Sequence, residues 1–256
     1  MDAEEVGRVH RPAVGIVAHP GLALEGLLGA LGPEDEASWA RRGRAEAETA
    51  ALRRRRRAAL ARGSDGAISP QSFSRAVAGV AAPRDLVVDE ALTSGRHLRA
   101  VLSVRRPGTW LAHRGSALGW GLPAAVGAAL ADRARRVIAL HGDGSFVFGA
   151  PALWTAAREG VPLALVIADN GGYEILRAGL EGLTGRAQGG WPGLAIAAPA
   201  LDLVSLARGF GADAAAVSEP AALREAMADL MVRAAGGPAV LVVRVSGRTP
   251  AVGYPL

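Results

Sequence analysis

Residues 137–177 read VIALHGDGSFVFGAPALWTAAREGVPLALVIADNGGYEILR, and two apolar runs within them decide the class of fold. The runs at 137–140 and 163–168 are short and continuous, as expected of parallel strands covered on both faces. Between them, an Ala-rich stretch around 152–159 has helical spacing. Each run ends in glycine, with Gly142-Asp143-Gly144-Ser145 after the first and Asn170-Gly171-Gly172-Tyr173 after the second. Asn170 lies 27 residues beyond Asp143, one strand–helix–strand unit, so adjacent parallel strands would carry both side chains to the same edge. Magnesium takes about six oxygens in a near-octahedral array, commonly one or two carboxylates or amides plus phosphate oxygens. Asp143 offers a charged oxygen, its flanking glycines let backbone approach a phosphate without a Cβ clash, and free N–H groups at a following helix favour an anion. The pair is therefore expected to hold magnesium and, through it, a diphosphate, with the bare backbone at Gly172 offering a carbonyl as a third ligand. Taken alone, Gly-Asp-Gly also fits a plain turn after a strand.

Working outward, strand and helix keep alternating. Ile68-Ser69-Pro70-Gln71 has the form of a capped helix entry, leading into a helix over 73–80 and a strand at 86–89. Residues 101–104 and 110–112 read as short extended pieces, and 123–132 as an Ala-rich helix behind the glycine-rich loop 115–121. Helices are predicted over 202–210 and 220–235, with a closing strand at 240–245; residues 178–199 are Gly- and Pro-rich and show little periodicity. This is the pattern of a doubly wound α/β domain, a parallel sheet flanked by helices, whose ligands belong at the carboxyl ends of its strands.

The amino-terminal part differs. A strand is expected at 13–18 and a helix at 22–31, one unit that cannot bury both faces of its strand and so looks like the tail of another domain. Residues 34–62 read as a long polar helix with acidic residues at its start and five consecutive Arg at 53–57, a polarity that suits the helix dipole. The glycine-flanked break at 63–66 divides the chain into 1–65 and 66–256.

The chain has 256 residues, half of them hydrophobic, enough for a sizeable core. All 29 basic residues are Arg, which explains a pI near 10.9 at a net charge of only +5. The absence of Cys excludes disulfides, thiolate metal sites and Cys nucleophiles. The first residues lack the features of a signal peptide and no uncharged apolar stretch reaches spanning length, so no membrane partner is expected and a cytoplasmic location is the default. His10, His19, His97, His113 and His141 have no metal-binding spacing; His113 and His141 lie near the proposed site. Glu174 and Arg177 would face either substrate or solvent.

Gly-Asp-Gly-Ser followed at this interval by Asn-Gly-X-Tyr resembles the signature of thiamine-diphosphate-dependent enzymes, in the group of 2-oxo-acid decarboxylases and acetolactate synthases. The stretches ALWTAA at 152–157 and LGWGLPAA at 118–125 resemble benzoylformate decarboxylase, and GPAVL at 237–241 resembles the last strand of the family's domain. The resemblance covers about residues 67–247. It implies a thiamine-diphosphate-binding fold in which Asp143, the Asn170 side chain and the Gly172 carbonyl hold magnesium against the diphosphate. It further implies cofactor contacts from Gly142, Gly144, Ser145, Tyr173 and Thr93. Leu118 would wedge the cofactor into a bent conformation, and the Ser116 carbonyl would accept from its aminopyrimidine. The family usually has two Asn before the glycine, whereas Asp169 stands first here.

The resemblance also implies what lies elsewhere. In this family the reactive ylid is generated with a glutamate from a separate domain, across an interface between chains. The chain is thus expected to be the cofactor-binding part of a decarboxylase or carboligase acting on a 2-oxo acid. It would be inactive alone and completed by a pyrimidine-binding domain or partner subunit in a homo- or hetero-oligomer. Two alternatives are a non-catalytic remnant or interaction module, and a nucleic-acid-associated protein using the Arg run; the run lies outside the α/β domain and has no interleaved aromatics, which makes nucleic acid the weaker reading.

Overall fold

The computed structural model describes residues 6–8, 11–32, 35–60, 66–102, 106–112, 115, 117–185, 191–196 and 199–246. The chain divides into two units, Met1–Arg53 and Arg54–Leu256.

In the first unit, helix α1 (Pro20–Ala30) starts where Pro20 sets the first helical φ and the His19 imidazole accepts from the Gly21 N–H at 3.2 Å. Residues 13–18 do not form the expected strand. An isolated extended segment has no neighbour to satisfy its N–H and C=O groups, and these residues remain irregular. Helix α2 (Glu36–Leu60) matches the predicted polar helix; Asp35 caps it by accepting from the Ser38 N–H at 2.7 Å, and the Ser38 bonds hold the Asp35 carboxyl below its ordinary range. No described residue before Arg53 is buried. Residues 63–65 of the expected break lie outside the described residues.

The second unit is built on β1 (Leu86–Glu90), β2 (Trp110–Ala112), β3 (Val137–Gly142), β4 (Leu163–Asp169), β5 (Asp213–Val217) and β6 (Pro238–Arg244). All pair in parallel, in the order β2-β1-β3-β4-β6-β5. Alternate residues of the strands feed two cores. Val88, Leu165 and Ile167 pack on one face with α5 (Gly121–Ala131), α7 (Ala152–Arg158) and α9 (Leu203–Gly209). Val87, Ala164 and Val166 pack on the other with α3 (Pro70–Val80), α4 (Leu98–Val101) and α10 (Leu223–Arg233). This is the predicted doubly wound α/β fold. The entry to α3 follows the sequence signal, with Ser69 Oγ accepting from the Ser72 N–H and Pro70 in the first turn.

Four local readings change. Val101 closes α4 instead of opening an extended piece, and residues 103–105 lie outside the described residues. Gly142–Ser145 is not a free turn: the chain passes directly from β3 into α6 (Asp143–Gly149). Helix α8 (Glu174–Thr184) extends into the segment expected to be irregular, ending at Gly185 with φ +66°. Residues 213–217, which carry no strand signal in an Ala-rich sequence, form the edge strand β5.

Successive strands place the site. From β1 the chain moves outward to β2, then returns across β1 to form β3 on its other side. Strand order therefore reverses between β1 and β3, and the crevice at such a reversal is where open α/β sheets bind ligands. At the far end of β6, Val245 bridges in parallel to Ile68, and the Ser246 N–H donates to the Ile68 carbonyl at 2.9 Å.

Candidate cofactor site

A cleft open to solvent lies at the carboxyl ends of β1, β3 and β4. Thr93, Leu118, Gly142, Asp143, Gly144, Ser145, Asn170, Gly172 and Tyr173 all line it, so nine of the residues singled out in the sequence converge there. The tenth, Ser116, lies outside the described residues, as do His10 and His113.

Register explains the convergence. Gly142 at the end of β3 pairs with Ala168 near the end of β4, so the segments that follow emerge side by side. Asp143 begins α6, and its carboxylate is buried at 3% exposure. One oxygen accepts from the Gly144 N–H at 2.9 Å and the other from the Gly172 N–H at 3.0 Å. That same Gly172 N–H lies 3.1 Å from Asn170 Oδ1. One backbone donor thus ties together the carboxylate and the amide that the sequence sets 27 residues apart.

Burial, with a smaller push from the Asp169 charge, brings the Asp143 carboxyl up to about 6 against the opposing N–H groups of Gly144, Gly171 and Gly172. Asp169 is itself compensated, since its carboxylate meets the Arg244 guanidinium at 2.6 Å and accepts from the Gly171 N–H. The extra carboxylate noted in the sequence therefore arrives with a cation.

The glycines are required by close approach. A Cβ on Gly144 would lie 2.5 Å from Tyr173 Cε1, so the Tyr173 ring rests directly on the start of α6. A Cβ on Gly172 would collide with the backbone oxygen of Leu194. Gly172 forms an antiparallel bridge with Ala195 there, flanked by Tyr173 N–H to Leu194 O and Ile196 N–H to Gly171 O. Residues 194–196 are therefore stitched against the site by backbone.

Glu90 and His141 are the residues least visible beforehand. They face each other in the β1–β3 register, Glu90 at 2% exposure and His141 fully buried. The Glu90 carboxylate accepts from the N–H groups of Gly119 (2.5 Å) and Gly121 (2.7 Å). His141 Nδ1 lies 3.5 Å from Glu90 Oε2 and 3.3 Å from Ser145 Oγ. Burial pushes the His141 imidazole down to about 3, so it is neutral beside the carboxylate at physiological pH. The Ser145 hydroxyl accepts from the Gly142 N–H at 3.1 Å, joining the start of α6 to the end of β3. The other flagged groups do less: Glu174 lines the cleft but also pairs with Arg177 at 3.2 Å, and His19 serves as a helix cap.

As a metal site the donor set is mixed. Among the described residues no cluster of three or more His, Asp or Glu side chains could hold an ion. One buried carboxylate, one amide and nearby backbone fit a hard cation that completes its shell with water and phosphate oxygens. The raised Asp143 carboxyl fits the same picture, because a cation would stabilise its charged form.

Residues 93–243 match the family described as thiamine pyrophosphate enzyme, C-terminal TPP binding domain. The chain belongs to the thiamine pyrophosphate enzymes. It is 40% identical over 136 residues to benzoylformate decarboxylase of Pseudomonas aeruginosa, covering 52% of this chain and 24% of that protein. It is 36% identical over 159 residues to a Mycobacterium tuberculosis protein named after the acetolactate synthase large subunit, covering 60% of this chain and 30% of that one. Among solved structures, the thiamine diphosphate-dependent 4-hydroxybenzoylformate decarboxylase of Rhodococcus jostii RHA1 matches with a TM-score of 0.66 at 30% identity, covering 73% of this chain and 34% of that chain. This thiamine pyrophosphate-binding domain thus spans about a third or less of the length of these relatives. No helix among the described residues is long and apolar enough to cross a membrane.

Proposed function

We propose that this chain binds thiamine diphosphate through magnesium, as the diphosphate-holding part of a 2-oxo-acid decarboxylase or carboligase. The observation that carries the reading is the shared Gly172 N–H, which brings Asp143 and Asn170 together at the carboxyl ends of β3 and β4, beside the strand-order reversal. Asp143, Asn170 and the Gly172 carbonyl would hold the metal. Ser145, Tyr173 and Thr93, with the glycines at 142 and 144, would surround the diphosphate. Leu118, 38% exposed and lining the cleft, would meet the organic part of the cofactor. The bound cofactor supplies the electron sink for decarboxylation; these residues bind it, orient it and limit its access to water.

In this reading residues 66–256 are the cofactor-binding domain, and 1–65 middle-domain sequence with its linker. These residues act together with a glutamate-bearing domain or subunit in an oligomer. Large apolar side chains left in solvent support a partner: Phe148 on α6 is 61% exposed and Trp154 on α7 is 55% exposed. Aromatic surface of this kind is enriched where proteins meet.

Calorimetric titration with thiamine diphosphate in the presence and absence of magnesium tests the reading. Binding is expected to require the metal and to be lost in Asp143→Ala; equal binding by that variant refutes the site assignment.

A further inference from the structure

Resting on that reading, we propose that Glu90 is a positioning residue: its buried carboxylate fastens the loop 118–121 over the cleft and so holds Leu118 where the organic part of the cofactor lies. Glu90 ends β1 at the floor of the cleft, yet both of its oxygens point at backbone donors 29 and 31 residues further on. The two donors matter for different reasons. Gly121 opens α5, and its N–H is one of the orphan donors of a helix start, which a carboxylate satisfies with charge assistance. Gly119 adopts φ +89°, a conformation that side chains rarely take, and a Cβ there would lie 2.7 Å from Phe148 Cβ on α6. The loop is therefore pinned from two sides, by Glu90 through its N–H groups and by the end of α6 through packing.

There is no slack in the arrangement. A Cβ on Gly121 would sit 2.7 Å from Glu90 Oε2 and 3.1 Å from His141 Nε2. The His141 ring backs the carboxylate from β3, with Nδ1 3.5 Å from Glu90 Oε2. Leu118 is attached directly to this clamp, being the residue before Gly119.

The substitution Glu90→Gln separates positioning from bulk structure. A glutamine offers one acceptor oxygen, and its amino group confronts the second N–H, so one bond is lost and the loop is displaced. Hydrogen exchange of the full chain without ligand is expected to show the Gly119 and Gly121 amides exchanging at least tenfold faster in the variant, with the β3 and β4 amides unchanged. In calorimetry with magnesium, affinity for thiamine diphosphate is expected to fall tenfold or more while affinity for inorganic diphosphate stays within about twofold. Leu118→Ala should reproduce that split, and the double variant should be no worse than either single one. Unchanged loop exchange, or equal loss of both ligands, overturns the proposal. A wild-type chain that binds neither ligand counts against the cofactor reading, and the clamp then stands or falls on exchange alone. If Glu90→Gln does not fold, Gly121→Ala disturbs the same clamp from the opposite side and must give the same split.

Discussion

The raised carboxyl at Asp143 makes a thermodynamic prediction that requires no ligand. Its ordinary value is 3.8 and burial brings it to about 6 in the folded chain. A carboxyl that holds its proton more tightly when folded adds stability at low pH and loses it as the pH rises through its folded value. At about 1.4 kcal/mol per unit, the shift is worth up to ~3 kcal/mol, with between about 2 and 3 kcal/mol of it present at pH 4 and almost none at pH 7. Asp143→Asn keeps the shape and removes the proton. In chelator, urea unfolding of wild type and variant should give a stability difference that moves in favour of wild type by that amount between about pH 7 and pH 4. Taking the difference cancels the other titrating groups, notably His141. That imidazole is held at about 3, below its ordinary 6.5, so its contribution is present above pH 6.5 and is lost as the pH falls. A difference that is flat across the window, or that favours the variant on acidification, refutes a buried, proton-holding Asp143.

His141→Gln should show the opposite slope, removing about 3 kcal/mol of acid-induced loss by pH 4 in the same unfolding series. Gly172→Ala should cost about 2 kcal/mol or more, because the new Cβ meets a backbone oxygen that cannot swing aside; faster proteolysis of the 191–196 segment would check that its backbone bridge has opened. Arg244→Gln should change stability by less than ~1 kcal/mol, since the guanidinium is 64% exposed. Leaving the Asp169 charge uncompensated should nevertheless move the Asp143 midpoint upward in the pH series.

What could be read from sequence follows what is encoded locally. The buried strands β3, β4 and β6 announce themselves as apolar runs, and the glycine-framed ends of β3 and β4 identify the edge where chemistry belongs. The edge strand β5 does not: three alanines between Asp213 and Val217 lack β-branched or aromatic character, and pairing with β6 alone makes them a strand. Helix α6 is hidden because glycines at both ends suggest a turn, whereas Asp143 in its first turn and the Ser145 hydroxyl make it a helix start. Glu90 is the clearest omission. An Asp-Glu pair closing a strand looks like a solvated end, and only the return of the chain over β1 puts two backbone donors above that carboxylate. Nothing at residues 89–90 carries a signal for residues 119–121. The apolar run at 13–18 misleads for the complementary reason, since a strand exists only where another offers it a ladder.

The parallel bridge between Ile68 and Val245 has an engineering consequence. It leaves the head and tail of the α/β unit side by side, at the carboxyl end of β6, so a short polar linker could join Ser246 back to the segment before Ile68. New ends could then be opened at an exposed loop remote from the cleft, such as the turn between α10 and β6 at Gly236–Gly237. Such a circular permutant would keep every strand neighbour while changing which strand leaves the ribosome last, separating the order of synthesis from the order of the sheet.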